Sequence, residues 1–413
     1  MTEPERDAVA RTGSALAFVV ILAGLLPFLL QVLRSSMALM ASTLEREFEI
    51  GATVVSMISG AFWLGVLVTV MPGGFLVARF GPRRVTLGFG VLMAAGAGWF
   101  AVGQTPAELA AARLLMGLGA GPLTPAALSA VGSRADAAQF RRLSGDVTLM
   151  ARLGTLAATG PLAALLLTIG WRDTMGVLAV VVALVSVVVA ALVAGGAERS
   201  PAARAPVWPP SYLGDGAVVA ALVLAGAIGG IVFTLVGLWG APWLASAYAL
   251  PVAAQAVALT AMTAGFAAGA IAAPLLARAV ADATVPLMVG VAVALLAVAA
   301  MDRVPRGLVT PFCAALGLAL SPTALLIAYL RERLPRSVQA VAMSLVPFAL
   351  AVGAVAFQSG SGLIIDAYPG RPGDHPAEAF RALLWIYAGA LALAVSWFAT
   401  ATRASSARSG RNG

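Results

Sequence analysis

Apolar runs longer than 18 residues recur along the whole chain, and the short stretches between them gather the charge. Each run is long enough to cross a hydrocarbon core of about 30 Å as a helix. The pattern predicts twelve helices, near 14–42, 52–78, 85–104, 107–131, 144–169, 173–195, 213–245, 251–277, 284–301, 305–330, 337–366 and 378–402. Several exceed the roughly 20 residues a crossing needs, so tilt or extension past the hydrocarbon is expected.

Composition agrees. Of the 413 residues 61% are hydrophobic and 11% charged, and the mean hydropathy is +0.95, far above a soluble domain. The fold class is an all-α polytopic membrane protein. All 26 basic residues are arginine. They lie mostly in short loops, without a solvated basic face, so no nucleic-acid partner is expected. Their placement fixes a topology instead. With the N-terminus inside, 17 of the 26 fall in cytoplasmic segments and six outside. Both termini are therefore expected in the cytoplasm of a multi-pass protein of the inner (plasma) membrane. Cys313 is the only cysteine, which excludes an internal disulfide. The first apolar run does not look like a cleaved signal peptide.

Residues 196–212, with "GAERSPAARAPVWPP" at their core, are the longest polar, proline-rich stretch and read as a cytoplasmic linker. It divides the chain into six-helix bundles over 1–195 and 213–413. The halves echo each other. "GLGAGP" (Gly117–Pro122) recurs as "GLALSP" (Gly317–Pro322) 200 residues on, "LVAR" ending helix 2 recurs as "LLAR" (Leu275–Arg278) after 199, and Gly154 matches Gly353 at 199. Three matches at a nearly constant offset indicate duplication.

A duplicated twelve-helix protein resembles the major facilitator superfamily, whose halves flank a midplane substrate site. The loop after helix 2 carries most of that family's pattern in Gly74, Arg79, Gly81, Arg83 and Arg84, but Ala78 stands where the family has Asp. Arg113, Gly117 and Gly121 in helix 4 and "GWR" (Gly170–Arg172) are similar to further family motifs, and "LWGAPWL" (Leu238–Leu244) resembles a helix 7 stretch of some members. The resemblance implies a two-bundle fold, no enzymatic activity and a cytoplasmic gate at the helix 2–3 loop, where Asp146 is the candidate partner for Arg79 or Arg83. Gly117, Gly121, Gly154, Gly160 and Pro161 are expected at helix contacts. Gly160–Pro161 matches part of the drug/proton antiporter motif, but the glycines that should follow are missing.

Three arginines fall within predicted helices. Arg34 lies about 12 Å from the outer end of helix 1, Arg113 about 9 Å below the same surface, and Arg152 about 12 Å up from the cytoplasmic end of helix 5. Ionisable groups at such depth are costly and usually functional. The 18 carboxylates all read as loop or helix-end residues, among them Glu45, Glu47 and Glu49 after helix 1, and the only histidine, His375, reads as an outer-loop residue. Three deep cations without a deep acid suit a water-filled cavity that receives an anion, which guanidinium holds through paired hydrogen bonds. Gln31, on the same face of helix 1 as Arg34, and Trp239, Gln255 and Gln358 opposite complete the expected substrate-binding set. The expected function is a secondary transporter for a small, anionic solute, monomeric, working by alternating access in a lipid bilayer without cofactor or metal. Export of lipophilic compounds by proton antiport is the alternative. A receptor or scaffold on the same fold is the reading from another class, and would need a soluble domain or long tail to signal through.

Overall fold

The computed structural model describes residues 20–133, 136–158, 160–192, 214–334 and 339–409. The predicted linker, 196–212, lies outside them. Twelve helices account for nearly all the described residues, and a single bridge between Arg371 and Asp374 is their only strand-like pairing. They are α1 Val20–Phe48, α2 Ala52–Phe80, α3 Pro82–Val102 and α4 Pro106–Gly132. Then come α5, described in two pieces over Ala137–Ala157 and 160–169, and α6 over 171–192. The second set is α7 Gly216–Tyr248, α8 Val252–Ala272, α9 Thr284–Ala300, α10 Arg306–Arg333, α11 Gln339–Asp366 and α12 Ala377–Ser409.

The expected helix count stands, with two boundary corrections. Helix 1 runs on to Phe48 rather than stopping near 42, so Glu45 and Glu47 belong to its last turns. The helix tolerates the acid because Glu45 is met by hydrogen bonds from a distant loop, described below. Helix 5 begins at Ala137, seven residues early, with an arginine-bearing polar turn. Helix-to-helix breaks need backbone that an L side chain resists. Gly81 (φ 81°) ends α2 and Gly170 (φ 78°) ends α5. Only glycine adopts such angles freely, and Pro82 then opens α3 at a helical position where its missing N–H costs nothing.

The duplication appears as equivalent helix crossings. A Cβ on Gly65 of α2 would meet the Leu114 carbonyl and stand 2.6 Å from the Leu118 nitrogen of α4. A Cβ on Gly265 of α8, 200 residues later, would meet the Ala314 carbonyl of α10, and one on Gly317 the Met262 carbonyl. One turn further on, Gly121 packs on Thr69 in the first half and Gly269 on Ser321 in the second. Gly154 of α5 packs on Phe28 of α1 as Gly353 of α11 packs on Gly226 of α7. In each case side-chain absence lets two backbones touch, the way helices associate where hydrocarbon surrounds them and apolar burial gives no net drive.

By internal contacts the chain forms two compact units. One holds the described parts of Met1–Arg34, Gly65–Gln104 and Ala111–Pro206; the other holds Ser35–Leu64, Thr105–Ala110 and the described part of Val207–Gly413.

Candidate functional site

In the first unit the deep arginines gather on α1, α4 and α5. The α1 helix is interrupted by a turn at Ser36. Carbonyls in the last turn before such an interruption need outside donors, and Arg113 supplies them. Its Nη1 donates to the Leu33 carbonyl at 2.9 Å and its Nη2 to the Arg34 carbonyl at 3.4 Å. At 1% exposure Arg113 is among the largest fully buried side chains. It is thus tied to the backbone of α1, and through it to the position of Arg34. Arg34 and Arg152 are half-buried on α1 and α5. The α1–α5 contact rests on Gly24 against Met150 and Gly154 against Phe28. Gln31, three residues before Arg34, keeps a buried Oε1 without a hydrogen-bond partner among the described residues. The structure therefore brings Gln31, Arg34, Arg113 and Arg152 into one unit.

The neutral residues expected opposite them are occupied with one another in the second unit. The side chain of Ser59 on α2 donates to Gln358 Oε1 at 2.9 Å, and Gln358 Nε2 donates to the Phe233 carbonyl at 2.8 Å. That carbonyl precedes a π-turn at Leu235–Trp239 in α7, an irregularity common where helices carry function. Trp239 Nε1 donates to Ser361 Oγ at 2.7 Å, and Ser56 lies 3.3 Å from the same hydroxyl. Trp63 stacks on Phe233 with ring centroids 4.4 Å apart. Gln255 is separate from this cluster: its amide donates to the Leu250 carbonyl and closes the α7–α8 turn. In this state Trp239, Gln255 and Gln358 are helix-pairing and turn-closing groups.

Sequence reasoning missed a second polar group, at the end where α1 gives way to α2. Glu45 has 0% exposure. Its Oε2 accepts from Gly373 N at 2.6 Å and lies 2.9 Å from His375 Nε2. Asp366, the last residue of α11, accepts from the backbone of Ala52 at 2.9 Å and of Thr53 at 2.8 Å, capping the first turn of α2. His375 is 9% exposed. Burial works against its charged form, but the hydrogen bond it donates to Glu45 and the charges of Glu45, Asp366 and Asp374 outweigh it, so its pKa is raised above the ordinary imidazole value. Only the isolated acids and histidine in loop-like sequence hinted at this cluster.

The predicted gating residues belong to the first unit. Arg79, Arg83 and Arg84 are exposed, and a Cβ on Gly74 or on the buried Gly81 would meet nothing. The Arg79 guanidinium lies 5.7 Å from the Phe80 ring centre, and the ion pairs of the described residues do not include Asp146. Gly160 likewise has open space where a Cβ would stand, whereas Gly121 and Gly154 are at close helix contacts.

Twelve helices whose two halves repeat, with few charges within the apolar spans, define a polytopic membrane protein. The profile of the Major Facilitator Superfamily matches residues 16–302, and the chain belongs to that family. It is 32% identical over 152 residues to the uncharacterized MFS-type transporter Rv1250 of Mycobacterium tuberculosis, covering 35% of this chain and 25% of that protein. It is 27% identical over 158 residues to the probable L-galactonate transporter of Escherichia coli, covering 37% of this chain and 34% of the other. The matched part thus spans about a quarter of the first relative and about a third of the second. Among solved structures, a bacterial homologue of the human lysosomal transporter Spinster, inward-facing and unoccupied, superposes with a TM-score of 0.81 at 14% identity over 94% of this chain and 97% of that one. The nucleoside transporter NupG superposes at 0.71 with 12% identity, over 93% and 99%. These two likenesses concern the fold. The family to which the chain belongs is one of membrane transporters, not of enzymes.

Proposed function

We propose that the protein is a secondary transporter that moves a small organic anion by alternating access, with Arg34 and Arg152 receiving the anion and Arg113 holding α1 in place. The observation that carries this reading is the placement of two half-buried arginines, Arg34 and Arg152, on helices α1 and α5 of one unit, which touch at Gly24–Met150 and Gly154–Phe28. Two guanidiniums at membrane depth are expensive together, and an anion between them relieves the repulsion while offering each a bidentate acceptor. The relative named for L-galactonate, a carboxylate, supports an acidic solute. In this reading both termini are cytoplasmic, the bundles are 1–195 and 213–413, the protein works as a monomer, and the α1–α2 end faces outward.

The test is uptake of carboxylates, phosphate and nitrate into proteoliposomes. Arg152→Lys keeps the charge and loses the planar fork, so transport of the responsive anion should fall about tenfold; Arg152→Ala should lower it by about a hundredfold. Undiminished anion transport by Arg152→Ala would remove the proposal. Export of lipophilic compounds would then gain ground, supported by an apolar groove of about 590 Å³ lined by Phe348, Phe357, Trp397 and aliphatic residues of α7, α11 and α12.

A further inference from the structure

Glu45 and His375 lie 330 residues apart in the chain, on α1 and on the loop between α11 and α12, and both are buried where they meet. We propose that they form a proton-binding site of the outer face, filled while that face is closed and emptied to the outside water when it opens. The outward placement of this end and the meaning of opening rest on the alternating-access reading; the identity of the solute plays no part.

The geometry is that of a built site. Glu45 Oε2 accepts from Gly373 N and faces His375 Nε2, while its Oε1 is buried without a hydrogen-bond partner among the described residues. The loop is shaped for this contact. Gly373 takes φ 76°, where a side chain would be strained, and a Cβ there would also stand 2.6 Å from the Ser42 carbonyl and 3.0 Å from Arg46 Nη1 of α1. Ser246 of α7 holds the His375 carbonyl at 2.7 Å. The imidazole meets the edges or faces of Trp239 on α7 and Phe380 on α12, at 6.0 and 6.5 Å between ring centres.

The charged groups around the ring divide clearly by element. Glu45 and Arg46 come from α1, Asp366 from the end of α11, and Asp374 from the loop itself. Glu378 and Arg381 of α12 bond each other, and Arg381 also pairs with Asp302. The aromatic sides contributed by α7 and α12 are uncharged. Three carboxylates thus act on the imidazole. A closed face favours an imidazolium donating Nε2–H to Glu45. Separation of α1 from the loop returns the ring to water and removes the carboxylate. The N–H proton then passes to bulk water outside, and the neutral ring remains.

The sign follows from the raised pKa of His375 when closed. Stabilisation of the closed face is complete below the open-state value of about 6.5 and is lost as pH rises through the higher closed-state value. An acidic exterior therefore holds the outer face shut, and an alkaline one releases it.

The chain holds one histidine. Full-length protein in lipid nanodiscs, purified on a tag without histidine, therefore gives one imidazole 13Cε1 resonance, which reports His375 alone. In wild type it should titrate above about 6.5, and in Glu45→Gln at or below that value. A wild-type ring that titrates at the solution value and ignores Glu45→Gln would overturn the proposal without any variant of the histidine. Opening is read separately by spin-label distances between Glu47→Cys and Arg303→Cys, without solute. The ratio of far to near populations should rise with pH between about 5 and 9, by at most about tenfold per pH unit for one proton. His375→Gln should flatten that rise; an unchanged pH response in His375→Gln would also overturn it. Neither measurement depends on anion uptake, so failure of the anion reading and failure of this one are distinguishable.

Discussion

The first helix of each half is irregular at the same place, and the two halves mend it differently. Ser36, where α1 is interrupted, and Leu235, where the π-turn of α7 begins, are 199 residues apart, the spacing that relates the halves elsewhere. Beside the first irregularity two carbonyls are held by a guanidinium, Arg113 of α4. Beside the second, one carbonyl is held by an amide, Gln358 of α11. The residues that stand where the deep arginines would fall in the second half are Phe233, 199 after Arg34, Cys313, 200 after Arg113, and Ala351, 199 after Arg152, all apolar and the last two fully buried. Backbone crossings are shared; charge is not. Helix approach therefore demands small residues in both halves, whereas positive charge serves a purpose that one half alone fulfils.

The strongest test of that asymmetry is to impose charge on the other half. Ala351→Arg sets a guanidinium among apolar side chains at membrane depth, at a cost of about 2.5–3.5 kcal/mol. Loss of monodisperse protein by size-exclusion chromatography is expected. If Ala351→Arg folded and transported as wild type, depth alone would not explain why charge is confined to α1, α4 and α5. A smaller effect tests the shared crossings. Gly65→Ala and Gly265→Ala each press a methyl group against a carbonyl of the facing helix, so both should lose about 1–3 kcal/mol, seen as lowered thermal midpoints. A loss in one variant and none in the other breaks the equivalence. The smallest contrast concerns the two caps. Arg113→Met should cost about 1.5–3 kcal/mol and Gln358→Met about 1 kcal/mol, since bonds from charged donors are the stronger. Thermal unfolding in the same detergent ranks them, and the reverse order would show that the α7 irregularity bears more of the stability than the α1 interruption.

Much of the fold was legible because it is written in residues with one physical use. Gly81 and Gly170 mark breaks that need positive φ, and Gly317 marks a crossing where nothing larger fits. The length of apolar runs gave the helix count for the same reason: hydrocarbon thickness sets it. The site was legible only in part. Arg34 and Arg152 stood out because charge at depth is costly, yet which side of its helix a residue faces does not show in hydropathy. Trp239 and Gln358 therefore read as cavity residues, whereas they bond Ser361, Ser59 and a helix carbonyl. Glu45 read as a loop acid because its partners lie more than 320 residues away, and no local signal distinguishes a buried carboxylate from a solvated one.

The cap that Asp366 places on α2 has a consequence for biosynthesis. The acid follows the backbone amide it serves by 314 residues. At about 5–20 residues per second of synthesis, roughly 15–60 s separate the translation of the two. For that interval the first turn of α2 waits at the membrane with its amides unserved by Asp366. The nascent chain has therefore to keep this helix end in contact with water or lipid headgroups until α11 has been made. Ribosomes stalled before and after residue 366 should show the change as a drop in hydrogen exchange at Ala52 and Thr53.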